Sequence, residues 1–125
     1  MKNTLAVAAV GEALTGLVLL VYPPIVVRLL FGAEIAGAGV VMSRIAGIAL
    51  IALGLACWPG GDAESGANGA LRGMLSYSLL ATLYLGYLGI GGEWVGWLLW
   101  PAVVVHAVVT IFLMRGAQHN NKLSE

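Results

Sequence analysis

Four long apolar runs, each bounded by turn-forming or charged positions, set the pattern of this chain. They cover about Asn3 to Tyr22, Gly37 to Trp58, Leu71 to Ile90 and Trp94 to Met114. Each is close to the ~20 residues that a helix needs to cross the hydrocarbon core of a bilayer. The pattern predicts an all-α fold: an integral membrane four-helix transmembrane bundle forming a single domain over residues 1–125. Pro23-Pro24 ends the first run, because neither proline donates a helix hydrogen bond and each disfavours helical geometry in the residue before it.

The octet Ile25 to Gly32 is too short to span. One arginine among apolar residues suits a short segment lying in the headgroup region, with Arg28 reaching lipid phosphate. Trp58-Pro59-Gly60-Gly61-Asp62 stops the second run, and Pro59 to Asn68 reads as a flexible polar loop. Gly91-Gly92-Glu93 predicts a tight turn, and Gly116 to Glu125 a polar, frayed tail. Pro101 falls near the start of the fourth helix, where a proline is tolerated.

Composition agrees with this pattern. Of 125 residues, 60% are hydrophobic and 10% charged, with mean hydropathy +0.95. A soluble domain carries about 25% charged residues. Four spans and short connections use up the chain and leave no room for a soluble catalytic domain. Six basic and six acidic residues cancel, and no basic patch marks a nucleic-acid partner. The single cysteine, Cys57, excludes an internal disulfide and reads as a small buried hydrophobe. The first run is long for a signal peptide and contains Glu12, so it is expected to remain as a helix.

Orientation follows from lysine and arginine near the span ends. Lys2, Arg72, Arg115 and Lys122 fall on the side of the termini, and Arg28 on the other. This bias predicts both termini in the cytoplasm and a multi-pass protein of the plasma (inner) membrane. Trp94, Trp97 and Trp100 then act as interface anchors near the outer leaflet, with Trp58 near the inner one. Gly11, Gly16, Gly47, Gly54, Gly86 and Gly89 permit close helix approach, which joins helices in lipid where the hydrophobic effect does not. Gly47 and Gly54 lie one heptad apart, so the first and second spans are expected to form the tightest pair.

Ionisable residues inside spans are expensive, commonly ~2.5–3.5 kcal/mol on insertion scales for the charged types, so they face the bundle interior and pair. Glu12, Arg44 and His106 are such residues. Counting the helix rise places Glu12 and His106 each about 14 Å from the side of the termini, and Thr82 about 16 Å. Arg44 lies about 10 Å from the opposite end. An ion pair between Glu12 and Arg44 is expected, with His106 and Thr82 close enough to share hydrogen bonds and with Ser78 and Tyr84 contributed by the third span. This intramembrane polar cluster is either a structural lock on helix register or a site for a proton, cation or polar headgroup. One histidine inside the spans is too few for bis-histidine haem ligation, and one His with one Glu falls short of a metal set. No metal and no cofactor are expected. No nucleophile elbow, phosphate-cradling glycine loop or helix-borne zinc motif occurs.

The stretch Arg44-Ile45-Ala46-Gly47-Ile48-Ala49-Leu50, running on to Leu53-Gly54, resembles the second helix of small DoxX-like four-helix membrane proteins. The Gly16…Pro23-Pro24 end of the first span and the spacing of four spans add to that likeness. The resemblance implies a membrane fold and no particular activity. A second likeness is to the small multidrug resistance transporters, which use one glutamate in their first helix. Glu12 is similar in place, but Pro23-Pro24, the interfacial segment and Arg44 depart from that pattern.

Three functional classes follow. The first is a non-catalytic accessory or structural subunit that packs in the lipid bilayer against itself or other membrane proteins. The second is a small proton-coupled transporter using Glu12. The third is a membrane enzyme acting on a lipid-soluble substrate, with no catalytic set beyond Glu12 and His106 as acid and base.

Overall fold

The computed structural model describes residues 2–58 and 64–123, with backbone alone for 64–67, 120, 121 and 123. The described residues form five helices and no strand: α1 (Lys2–Val21), α2 (Pro23–Phe31), α3 (Ala38–Ala56), α4 (Glu64–Gly91) and α5 (Leu99–Leu123). Four are long and apolar enough to cross a membrane: Lys2–Val21, Ala38–Ala56, Asn68–Gly91 and Leu99–His119. Large apolar side chains such as Ile48, Leu83, Val104 and Phe112 point outward from them. A surface of this kind needs lipid as its solvent. The molecule is therefore an all-α membrane bundle with a short additional helix after the first span.

The spans pack as two pairs. α1 with α3 makes the most extensive contact, and α4 with α5 the next. Small residues explain the first. A Cβ on Gly16 would lie 2.6 Å from the Gly47 carbonyl oxygen, one on Gly47 2.6 Å from that of Gly16, and one on Gly54 2.6 Å from that of Ala9. Only glycine admits this approach, and the expected tight pairing of the first two spans is what forms. Gly89 accepts the Trp100 ring in the same way between α4 and α5.

The two pairs meet in a dense core at the end that carries the termini. Leu5, Ala8 and Ala9 of α1, Cys57 after α3, Leu71 and Met74 of α4 and Leu113 of α5 are buried together. The Cys57 sulfur sits 3.4 Å from the Ala70 carbonyl. At the opposite end the pairs are bridged by α2. Pro23 and Pro24 occupy its first two positions, where a missing N–H breaks no helix hydrogen bond. Gly32, with φ of 65°, closes it in left-handed geometry. Two carbonyls of its last turn, which have no partner within the helix, accept hydrogen bonds from the loop before α5: Gly96 N–H to Leu30 at 2.8 Å and Leu98 N–H to Leu29 at 2.8 Å. A side chain at Gly96 would run into the Leu29 carbonyl.

This docking corrects one sequence expectation. The fourth helix begins at Leu99, not near Trp94, because the N–H groups of Gly96 and Leu98 bond to α2 instead of entering a helix. Pro101 then lies in the first turn of α5, where its missing N–H leaves the helix intact. α4 starts at Glu64, so residues 64–68 of the expected polar loop are helical, while 59–63 fall outside the described residues. The tail does not fray at Gly116: α5 continues to Leu123, since no proline follows and an established helix adds residues more easily than it starts. Arg28 forms an exposed ion pair with Glu34, a partner not expected from the sequence. Trp58, Trp94, Trp97 and Trp100 are all exposed near helix ends.

Candidate functional site: a half-enclosed cavity with a carboxylate–imidazole pair

Between the two helix pairs lies a half-enclosed cavity of about 780 Å³. Its size falls in the roughly 300–1,000 Å³ range of small-molecule sites. α1, α2, α4 and α5 supply most of its walls, with Leu50 of α3 and Leu98 of the loop before α5, and the lining is chiefly Val, Leu, Ile and Ala side chains. The cavity exists because α2 and the loop before α5 hold the pairs together at one end, while the dense core closes the other.

Its polar wall is a pair from the first and last spans. His106 Nε2 lies 3.2 Å from Glu12 Oε1, and the two side chains are 17% and 12% exposed. Such shielding from solvent keeps the interaction strong. His106 Nδ1 lies 2.7 Å from the Ala102 carbonyl oxygen, one turn earlier in α5. A carbonyl only accepts, so Nδ1 carries a hydrogen and donates it. Nε2 then faces a carboxylate with no hydrogen of its own unless a second proton is present. The contact requires one proton between them, held either as imidazolium with carboxylate or as imidazole with carboxylic acid. In both forms the pair has zero net charge, and loss of the proton leaves a single negative charge.

Tyr77 of α4 completes the group. Its ring stands edge-on to the imidazole, with centroids 5.7 Å apart and planes inclined at 62°. Its side chain also lies beside the Glu12 carboxylate. The Thr110 hydroxyl donates to the His106 carbonyl at 2.7 Å, fixing the backbone at the pair within α5.

The residues singled out from the sequence divide accordingly. Glu12 and His106 meet; Arg44 does not join them. It sits on an exposed face of α3, and no ion pair or hydrogen bond of its side chain occurs among the described residues. The expected Glu12–Arg44 ion pair is thus replaced by Glu12–His106. Thr82 turns back on its own helix, its hydroxyl donating to the Ser78 carbonyl at 2.7 Å. Ser78 is buried and lines the cavity, and Tyr84 lines it from an exposed position. Tyr77 was not expected. Its signal was available: it lies nine residues, or about 14 Å, from the start of the apolar part of α4 at Asn68, the depth of Glu12. Compared with protein-family models, curated proteins and solved structures, the chain matches none, so the chemistry of this cavity has to be read from its own side chains.

Proposed function

We propose that this protein binds a small lipid-soluble molecule inside the membrane, with Glu12 and His106 as the polar anchor of the site. The observation that carries the reading is the apolar cavity with one proton-holding pair in its wall. A subunit that served packing alone would need neither the space nor a carboxylate set against it. An apolar wall with few convergent polar groups is the usual form of a small-molecule site. The pair can also donate or accept a proton, which would extend binding to acid–base catalysis on a bound substrate. In this reading the protein spans the plasma (inner) membrane, and the bias of its basic residues supports an orientation with both termini cytoplasmic.

The test is solvent extraction and mass spectrometry of protein purified in mild detergent. Wild type should retain a small molecule that Ala81→Trp, which fills the cavity from α4, does not. Ala81→Trp should still melt cooperatively. Identical extracts from two folded proteins would remove the cavity as a binding site.

A further inference from the structure

Building on that reading, we infer that the cavity takes an uncharged apolar alcohol, its hydroxyl donating to Glu12. The walls carry one acid and one base and no lysine or arginine. Arg28 is paired with Glu34 outside, and Arg44 does not line the cavity. An anion would therefore find no counter-charge beyond the imidazole that Glu12 already holds. A permanent cation would need the shared proton to leave. A neutral molecule leaves the charge count unchanged, which matters where an uncompensated charge is costly.

The hydrogen-bond inventory selects the polar group. Glu12 contacts His106 through Oε1. A carboxylate offers about four acceptor positions; His106 uses one and the neighbouring Tyr77 hydroxyl can use a second. The remaining capacity on the carboxylate is for accepting, so the ligand must donate. A ligand hydroxyl supplies that donor. An ether or ketone only accepts and cannot make this bond.

The placement of the pair disfavours a phospholipid tail. Toward the start of α1 the cavity extends one turn past Glu12, to Val7, Ala8 and Gly11. In the other direction it runs past Leu14, Val18 and Leu19 to Ile25 and Leu30 of α2. An acyl chain entering past α2 would bring its methyl end to the carboxylate. An alcohol of similar length places its hydroxyl there and its chain along the apolar wall.

The experiment is competition against radiolabelled dodecanol on wild-type protein in nanodiscs, with dodecyl methyl ether and dodecylamine as competitors. Dodecanol should compete about tenfold better than the ether, the value of one hydrogen bond to a charged group at its lower limit. The double variant Glu12→Met, His106→Met removes both polar partners together, and it should bind alcohol and ether equally. Equal competition by alcohol and ether in wild type would overturn the assignment. So would dodecylamine displacing dodecanol with release of a proton, which identifies a cation site instead. Absence of dodecanol binding also overturns it; a molecule retained by wild type and lost from Ala81→Trp would still leave cavity binding standing.

Discussion

At the scale of single residues, the Glu12–His106 pair decides the chemistry, and its coupling is measurable. Removing one member leaves the other buried without a partner, whereas removing both leaves an apolar contact. Glu12→Met and His106→Met should each lower the stability of detergent-solubilised protein, and the double variant should lose less than their sum. Couplings in bilayer proteins average about 0.6 kcal/mol and reach about 1.7 kcal/mol. The shared proton places this coupling in that upper range, readable in a double-mutant cycle of unfolding in mixed micelles. Strict additivity would show that the two side chains act independently. The sequence made half of this site legible. Counting residues along a helix gives depth, and depth put Glu12 and His106 at one level. It does not give the direction in which a side chain leaves the helix, so the expected Glu12–Arg44 pair does not form: Arg44 is equally ionisable but faces outward. Counting the third span from Leu71 puts Tyr77 only about 9 Å in and brings Thr82 to the level of Glu12 instead.

Among the elements, α2 and the loop before α5 hold the open end of the bundle. Gly96 is the position on which this rests, buried and without room for a Cβ beside the Leu29 carbonyl. Gly96→Ala should push the loop off α2 and weaken the hydrogen bonds to Leu29 and Leu30. Overpacking of this kind costs about 1–3 kcal/mol. Backbone amide exchange at Gly92 to Leu98 should rise in Gly96→Ala, with exchange in α1 and α3 unchanged. Unaltered protection of the loop would mean that its position does not depend on α2. The four spans and the short segment after the first were legible because apolar length and proline position specify them directly. The start of α5 was not. It is set by carbonyls of α2 that the chain reaches only through tertiary contact, and a pattern of tryptophans cannot distinguish a helix turn from a loop laid across a neighbour.

At the scale of the whole molecule, four spans put both ends of the chain on one side. If the basic bias sets orientation, cysteine at Asn68 should be shielded from an impermeant thiol reagent in intact cells, and cysteine at Glu93 labelled, both in a Cys57→Ala background. Asn68 lies at the start of the third span and Glu93 in the turn beyond its end. The reverse labelling would invert the molecule, and labelling at both positions would contradict the number of spans.

The pairing of α1 with α3 and of α4 with α5 has a consequence for biogenesis. Each pair joins neighbouring or nearly neighbouring spans, so each involves short loop closures, which are fast. The hydrogen bonds from Gly96 and Leu98 to α2 connect the two halves of the chain and require both to be in place. A nascent chain that has inserted through α3 holds Glu12 but neither Tyr77 nor His106, and it has only one side of the cavity. The carboxylate at mid-span therefore waits for α5 to supply its partner, and the chamber closes only once that helix has joined the other four.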